Sequence, residues 1–373
     1  MGERLTLRAD VEALSAMVRD SAGAGERASA QWIAGRLREA GVSDVRVEPY
    51  RYRTGFALAQ TLHAAAGLLA TCLPRRFGLP LGLAALASLE LDVSGRRQWL
   101  ARLPPAGDGA NVVARIVPPG GGAQRTIVVL AHHDVARTGL FWKLPLERFG
   151  RARRLRRRTI DPFLAPFAPA FLLATFARRS SAAVLGAAAL AGLDLARGPV
   201  VPGASDNASG VAALIALAER FAAEPPAGVE LLLVAPGSEE AGMGGTAAFL
   251  RGHPRPDLVL SVDTLGAGRP IVLAGEGGLL QHRYRAEDLD LADRGAARAG
   301  EPAPERWRIG GWTDAILARF AGIPAISLLS IGPDGVFTNY HRATDTPDRV
   351  DWDSVERCMR IAAGIVEEFA ATG

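Results

Sequence analysis

The stretch Thr126-Ile127-Val128-Val129-Leu130-Ala131-His132-His133-Asp134 joins an apolar run to three polar side chains of a kind that binds metal ions. An uninterrupted apolar run of this length is typical of a β-strand buried on both faces. Val229–Ala235 is a second, mostly apolar run, and Glu239-Glu240 follows it. Leu258–Val262 is a third mostly apolar run, and Asp263 follows it. Open α/β sheets place their functional groups at the carboxyl ends of strands, so we expect these side chains to converge there.

Helical patterns alternate with these strands. Residues 24–40 place apolar side chains at helical spacing, and Gly41 stands where a helix commonly ends. Two more helices are predicted over 209–223 and 354–370. The other predicted strands are 45–52, 112–116 and 325–329. This alternation predicts a three-layer α/β/α sandwich with a mixed, mostly parallel central sheet.

The composition restricts the class of protein. The chain has 373 residues, of which 49% are hydrophobic, enough for one large core or two domains. The net charge is +4, and Lys143 is the only lysine beside many arginines. Such a skew more often reflects codon usage than function, so no nucleic-acid partner is expected. Cys72 and Cys358 form no disulfide or metal-binding pattern, which favours a reducing compartment, and residues 1–20 lack the apolar core of a signal peptide.

Two apolar stretches, 56–93 and 160–196, interrupt the α/β pattern. Each contains two apolar runs separated by an arginine pair, Arg75-Arg76 in the first stretch and Arg178-Arg179 in the second. The pattern predicts two inserted apolar helical hairpins with arginines at their tips. The first run of each stretch is just long enough to cross a bilayer, which takes roughly 17–25 residues, and the second run is short.

Two interpretations of the hairpins stay open. In a soluble enzyme they would be buried helices or helices that form an oligomer contact. In a membrane protein they would enter the lipid bilayer, and the doubling of the pattern favours this. Arginines crowd the ends next to the enzyme domain, above all in 151–158, where a solvated loop is the alternative to a lipid contact. The positive-inside rule then predicts a bacterial inner-membrane protein whose catalytic domain faces the cytoplasm.

The predicted organisation is one enzyme domain that is interrupted twice. Its parts are residues 1–55, 106–140 and 199–373. Residues 56–105 hold the first hairpin, and residues 141–198 hold a basic loop and the second hairpin.

The polar residues at the strand ends meet the needs of a two-metal hydrolase. Hydrolysis of an amide needs an activated water, a base and a group that holds the developing oxyanion, and two metal ions supply the first and the last. Such a pair needs one bridging carboxylate, for which Asp206 is the candidate, and about two further ligands for each ion. The further candidates are His132, Glu240, Asp263 and His341. Imidazoles and carboxylates without thiolates suit two Zn²⁺ ions, and Co²⁺ or Mn²⁺ would fit the same donors.

Two acidic residues next to these candidates have other predicted roles. Glu239 neighbours Glu240 just after a strand, and we expect it to act as the general base that passes a water proton to the leaving amine. Asp134 lies two residues after His132 and is expected to accept a hydrogen bond from that imidazole. Each motif is weak by itself, and Asp206-Asn207 alone would be a helix cap. All of the motifs occur in one chain, most of them at a strand end, which favours a common site.

Together these motifs resemble those of the M28 family of zinc aminopeptidases. The matching segments are 128–134, 202–211, 238–245, 262–263, 313–315, 322–325, 339–341 and 345–346. The resemblance covers the chain outside the two apolar stretches, which depart from soluble secreted members of the family.

The resemblance implies a division of the ligands between two zinc ions. His132 and Asp263 would hold one ion and Glu240 and His341 the other, with Asp206 as the bridge. Glu239 would be the general base. Tyr340 is a candidate substrate or oxyanion contact, with a packing role as the favoured alternative.

The expected activity is the removal of N-terminal residues from peptides with a free N-terminus. Three alternatives stay open. An acyltransferase that resembles glutaminyl cyclase would use one zinc, and a non-peptide amidohydrolase would use the same chemistry on another amide. A non-catalytic scaffold on this fold would typically have lost ligands or the base, whereas this chain keeps Glu239 and all five candidate ligands.

Overall fold

A computed structural model describes residues 2–102, 105–144 and 149–372 of the chain. Residues 103–104 and 145–148, which belong to the predicted segments 56–105 and 141–198, lie outside the described residues. The strands are β1 (Asp44–Arg53), β2 (Ala106–Ile116), β3 (Arg125–Leu130), β4 (Val229–Ala235), β5 (Leu258–Val262), β6 (Arg269–Glu276), β7 (His282–Arg283), β8 (Glu305–Ile309) and β9 (Ala325–Ile331). The helices are α1 (Gly2–Ser15), α2 (Ala24–Glu39), α3 (Ala57–Cys72), α4 (Arg75–Val93), α5 (Leu140–Lys143), α6 (Arg151–Arg157), α7 (Ala168–Leu172), α8 (Arg178–Arg197), α9 (Ser209–Ala223), α10 (Gly244–Gly252), α11 (Ala286–Arg298), α12 (Ala315–Phe320) and α13 (Trp352–Ala371).

The strands form one mixed sheet in the order β1-β2-β4-β3-β5-β9-β6-β7, with β8 beside β6. The four central strands β4, β3, β5 and β9 run parallel to one another. The flanking strands join them in antiparallel pairs, between β2 and β4 on one side and between β6 and β9 on the other. The prediction of a mixed central sheet is therefore confirmed, and its continuous parallel part is the centre.

Helices cover the sheet on both sides, which explains why its central strands are almost wholly apolar. Along β3 the residues from Ile127 to Leu130 are fully buried, and β5 and β9 are buried throughout. Helices α2, α9, α13 and α11 contact one another in sequence and form one layer, whereas α10 and α12 contact each other and pack on β1, β2, β5 and β9. The parallel centre brings the carboxyl ends of four strands to one edge.

The first apolar stretch forms α3 and α4, and the end of the second forms α8. The prediction that the first apolar run of the second stretch, residues 160–177, forms one helix is wrong, because α7 is the only helix that the structure assigns within it. Pro162, Pro166 and Pro169 lie in this segment, and each proline lacks an amide hydrogen and disfavours helix at the residue before it. The segment instead runs beside the sheet, where the Ile160 amide donates to the Arg308 carbonyl at 2.9 Å.

Helices α3, α4, α7 and α8, called the helical cluster below, pack around a small core of their own. That core consists of Ala85, Leu86, Leu89, Val93, Leu164, Ala168, Ala170, Phe171 and Leu185. Glycines allow close approach, since a Cβ at Gly67 would lie 2.6 Å from the Phe171 ring and one at Gly192 would lie 2.3 Å from the Thr61 hydroxyl. The helical cluster is thus a second, separate packing unit attached to the α/β sandwich.

Large apolar side chains remain exposed on the helical cluster. They are Leu62, Leu69, Phe77, Leu83, Leu172, Leu173, Phe176, Val184 and Leu190. Of the helices in the described residues, α8 is the one that is long and apolar enough to cross a membrane. In its apolar 18-residue segment, 22% of the residues are buried. The basic run 151–158 forms mainly the short helix α6, whose Arg154 is buried against the domain.

Candidate metal centre

The carboxyl edge of the parallel strands gathers five of the side chains singled out in the sequence. His132 follows β3, Glu240 follows β4, and Asp263 follows β5 directly. Asp206 lies in the turn before α9, and His341 lies in the loop after β9. All five are at most 9% exposed. Parallel strands with a common direction explain why residues so far apart along the chain meet here.

These side chains form two groups that share Asp206. In the first group the His132 Nε2 atom lies 3.2 Å from Asp206 Oδ1 and 3.7 Å from Asp263 Oδ1. In the second group the His341 Nε2 atom lies 3.3 Å from Asp206 Oδ2 and 3.2 Å from Glu240 Oε2. Each oxygen of Asp206 therefore faces a different group. This is the arrangement that a carboxylate bridging two cations requires.

The hydrogen bonding of the two groups is incomplete. His132 Nδ1, Glu240 Oε1 and both ring nitrogens of His341 are buried without a hydrogen-bond partner in the described part of the chain. Buried polar atoms are nearly always paired, because leaving one unpaired costs free energy. Imidazole nitrogens and carboxylate oxygens in one dry cluster fit the donor set of a divalent metal such as zinc.

The electrostatics of the cluster also fit a cation. Burial alone would lower the pKa of His341, but Glu240 and Asp206 outweigh it and raise that pKa to about 10. Burial likewise opposes protonation of His132, yet Asp134, Asp206 and Asp263 raise its pKa well above the usual range. The surrounding carboxylates thus stabilise positive charge at the position of both rings. Bound metal ions are often the largest local charges in such sites and would supply that positive charge.

Asp206 is held in place by backbone hydrogen bonds to a residue that sequence reasoning gave no role. Asp345 accepts hydrogen bonds from the amides of Ser205, at 2.8 Å, and Asp206, at 3.1 Å. The neighbouring Asn207 donates to the Val262 carbonyl at 3.1 Å and accepts from the Thr264 amide at 3.1 Å. The turn before α9 is therefore tied to the end of β5, beside Asp263.

Asp134 connects His132 with the loop that carries Glu239 and Glu240. Its carboxylate accepts from the amides of Glu239, at 2.9 Å, and Glu240, at 3.2 Å, and from the Ser21 hydroxyl at 2.6 Å. Its Oδ1 atom lies 3.5 Å from His132 Nδ1, which is close to the predicted contact but longer than a hydrogen bond. Asp134 thus holds the Glu239–Glu240 segment by hydrogen bonds and lies beside His132.

Glu239 directly precedes Glu240 in the loop after β4 and is half-buried. Burial raises its pKa well above the usual range, and the negative charges of Asp314, Glu240 and Asp263 raise it further, whereas a charged His132 opposes them. Asp314 is itself 1% exposed with neither oxygen hydrogen-bonded among the described residues, and burial raises its pKa to about 7. A carboxylate with a raised pKa is suited to accept a proton near neutral pH.

His133 belongs to neither of the two groups that share Asp206. It is fully buried, its Nε2 atom donates to the Ala110 carbonyl at 2.9 Å, and its Nδ1 atom lies 2.8 Å from the Ser29 hydroxyl. Burial lowers its pKa to about 4, so the ring is neutral. His133 is a packing histidine that fixes the strand end.

Aromatic rings cover His341. The Tyr340 ring stacks on it with 3.8 Å between centroids, and the Trp142 ring meets it edge-on at 4.5 Å. Trp142 also contacts Tyr340 at 5.6 Å, and its carbonyl accepts from Arg342 Nε at 2.8 Å. Sequence reasoning missed Trp142, because its short helix α5 lies in the interrupting segment and carries no motif.

The chain matches the model of Peptidase family M28 over residues 181–366. The chain belongs to peptidase family M28. A search of curated proteins by sequence finds no significant match. The matched region of this M28 chain includes Asp206, Glu239, Glu240, Asp263 and His341, whereas His132 lies before it and is brought to the site by the fold.

Solved structures of similar fold include several aminopeptidases. The aminopeptidase from Aneurinibacillus sp. strain AM-1 matches with a TM-score of 0.58 and 14% identity, over 97% of this chain and 93% of that chain. BSAP, a zinc aminopeptidase from Bacillus subtilis, matches with a TM-score of 0.58 and 15% identity, over 98% of this chain and 94% of that chain. A leucine aminopeptidase precursor from Bacteroides thetaiotaomicron matches with a TM-score of 0.55 and 15% identity, over 98% of this chain and 95% of that chain. At these identities the likeness shows a shared fold.

Proposed function

We propose that this protein is a metal-dependent aminopeptidase that removes N-terminal residues from peptides with two divalent ions, most suitably Zn²⁺. The observation that carries the proposal is the pair of buried groups that share Asp206. Family membership supports peptide hydrolysis, and the names of the structural relatives support action at the N-terminus. The excess of buried carboxylates around the site also suits a substrate that carries a free ammonium group.

In this proposal His132 and Asp263 would hold one ion, and Glu240 and His341 would hold the other. Asp206 would bridge them, because its two oxygens face the two groups separately. When bound, such ions polarise the scissile carbonyl and make water acidic enough to act as a nucleophile near neutral pH. Co²⁺ or Mn²⁺ would satisfy the same donors.

Glu239 is the proposed general base. Its carboxylate would accept the proton of the attacking water and deliver it to the nitrogen of the leaving amine. Asp134 would keep Glu239 and Glu240 in position through their two amides. Tyr340 is the proposed substrate contact, because its half-buried ring lies on His341 beside the two groups.

The test is hydrolysis of a panel of aminoacyl anilides with free and with acetylated N-termini, before and after dialysis against a chelator. We expect turnover of the free amines alone, loss on chelation and recovery with zinc. Glu239→Ala should lower kcat by roughly 10²–10⁴-fold with the metal content unchanged, the range typical of a lost general base. Glu219→Ala, an exposed glutamate on α9, is the matched control.

The same experiment separates the alternatives. Cyclisation of N-terminal glutamine with one bound zinc would favour the acyltransferase. Two bound ions without turnover of any anilide would favour a non-peptide amide substrate. Neither metal nor turnover would favour the non-catalytic scaffold and refute the proposal.

We infer, in addition, that residues 56–105 and 141–198 are insertions into the peptidase domain and that the helical cluster contacts a lipid bilayer. Its exposed apolar side chains include Phe77 and Phe176 at the tip, and the Arg75 guanidinium lies 4.3 Å from the Phe176 ring centroid. Aromatic and arginine side chains together favour the interface of an anionic membrane. A bacterial inner membrane with the catalytic domain on the cytoplasmic side remains the proposed location.

A further inference from the structure

The loop that follows Glu240 is bound by side chains from outside the metal centre. Arg53, the last residue of β1, donates from Nε to the Ala241 carbonyl at 2.5 Å. Gln98 donates from Nε2 to the Gly242 carbonyl at 2.9 Å, and the Tyr52 hydroxyl lies 2.9 Å from the same oxygen. The two carbonyl groups directly after Glu240 are therefore both held by side chains from elsewhere in the fold.

Arg53 is in turn fixed by the helical cluster. Its Nη1 atom donates to Asp92 Oδ1 on α4 at 2.7 Å, and the two side chains are 3% and 1% exposed. Gln98 also donates to the Asp92 carbonyl at 3.2 Å. Two of the three donors to the loop, Arg53 and Gln98, are thus anchored on the last turn of α4.

The loop has a backbone that needs such support. Ser238 and Met243 have φ angles of 53° and 61°, in the left-handed region that is unfavourable for residues other than glycine. At Gly242 φ is 114°, and a Cβ there would lie 2.6 Å from Arg53 Nη2. Arg53 therefore packs directly against the backbone of Gly242, two residues after Glu240.

Stability alone does not account for the Arg53–Asp92 pair. Arg53 Nη2 and Asp92 Oδ2 are buried without a hydrogen-bond partner in the described part of the chain. A buried ion pair with unpaired atoms contributes little net stability, because desolvation of both charges offsets their attraction. What the pair does fix is the direction in which Nε points, toward the Ala241 carbonyl.

We propose that Arg53, fixed by Asp92, is a positioning residue that holds the Glu239–Glu240 segment in its catalytic conformation. Asp134 binds the amides of this segment from one side, and Arg53 binds the carbonyl that follows it from the other. The end of α4 is then part of the support of the metal centre. This role rests on the proposed function, since it concerns the conformation of the proposed base and of one proposed ligand.

The test uses the zinc-loaded full chain and the variant Arg53→Lys. Lysine keeps a positive charge beside Asp92 but cannot bind Asp92 and the Ala241 carbonyl through two fixed N–H groups. The matched control is Arg36→Lys, since Arg36 forms an ion pair of 2.8 Å with Asp10 that joins α2 to α1 and contacts no part of the loop. The measurements are kcat, KM, zinc content and amide hydrogen exchange in the peptide 237–245.

We expect Arg53→Lys to lower kcat by about 10–100-fold, the range for residues that orient metal ligands, with KM nearly unchanged. Exchange in 237–245 should become faster, and Arg36→Lys should match the wild type in both. If Arg53→Lys does not fold, Asp92→Asn keeps the acceptor without the charge and should give a smaller change in the same direction. If the amides of 237–245 exchange at the same rate in Arg53→Lys as in the wild type, the proposal is overturned, whatever the value of kcat.

The exchange measurement needs no substrate, so the two proposals fail separately. A wild type without aminopeptidase activity would refute the proposed function, while faster exchange in Arg53→Lys would still support the positioning role of Arg53. Loss of activity in Arg53→Lys without a change in exchange would overturn that role and leave the proposed function in place.

Discussion

The sheet edge with the metal centre buries charged side chains, whereas the helical cluster leaves large apolar side chains in contact with solvent. At the centre, His132, Asp206 and Asp263 are all less than 10% exposed. On the cluster, Phe77 and Phe176 are 56% and 55% exposed. Each region departs from the usual distribution of polar and apolar groups, and such a departure is typical of a binding surface. The proposed partners are a pair of divalent ions for the first region and a lipid bilayer for the second.

The largest expected effect concerns the shared ligand. Asp206→Asn should remove both metal equivalents and lower kcat by more than about 100-fold, because a residue that merely orients a ligand already contributes 10–100-fold. Asp263→Asn should remove one equivalent, since Asp263 belongs to one group only. Metal content after dialysis and kcat are the measurements.

The control for both variants is Asp353→Asn, because that side chain is 79% exposed on α13. Retention of two equivalents by Asp206→Asn would contradict a bridging role and make the two groups independent sites.

Glu276 tests the comparison further, because it is a fully buried carboxylate that belongs to neither of the two groups that share Asp206. It accepts hydrogen bonds from Tyr284, from the Thr313 amide at 2.7 Å and from the Thr313 hydroxyl. Burial raises its pKa to about 8. Its folded pKa lies above its unfolded value, so the stabilisation is complete below the unfolded pKa and is lost as the pH rises through the folded one. From pH 6 to 8 the free energy of unfolding should fall by about 2 kcal/mol through this group.

Glu276→Gln should abolish that part of the pH dependence, because the amide resembles the protonated acid at every pH. Urea unfolding of the zinc-loaded protein at pH 6, 7 and 8 measures it. Parallel curves for the variant and the wild type would show that Glu276 is ionised in the folded state.

The smallest expected effect tests the other region. The double variant Phe77→Ser, Phe176→Ser should weaken binding to anionic lipid vesicles by about tenfold, because it removes two large apolar side chains from the proposed contact. Hydrolysis of a soluble anilide should not change. Co-sedimentation with vesicles is the measurement. The control is the double variant Leu5→Ser, Val18→Ser, since these residues are similarly exposed but lie outside the helical cluster. Equal binding by both variants would refute a lipid contact at the tip.

Regions with a simple pattern were predictable. Helix α9 spans the predicted residues 209–223, and β3, β4 and β5 match their apolar runs. Helix α11 was not predicted although Leu289, Ala292 and Ala296 are buried at helical spacing, so its signal was present and overlooked. The short strands β7 and β8 carried little signal, because few residues with mixed burial do not establish a period.

The residues of the candidate site also fall into those that the sequence predicts and those that it does not. Three of the five side chains of the two groups were predictable because they follow apolar strands, whose parallel direction brings their ends together. Asp206 was predictable from the helix that it precedes, and His341 from the motif of its loop. Trp142 carried no motif, and Asp345 lies in a segment that matches the family but had no predicted role in the site. Their contacts with His341 and with the Asp206 turn join segments that are far apart along the chain.

The sequence by itself determined the family, the central strands and the residues with metal-binding chemistry, because side-chain chemistry and short-range periodicity are local properties. Tertiary structure alone decided that Asp206 faces both groups, that residues 160–177 are mostly not helical, and that Arg53 and Asp92 connect the helical cluster with the loop after Glu240. Those facts depend on the path of the whole chain, since a hydrogen bond between distant residues exists only after packing has brought both partners to the same place.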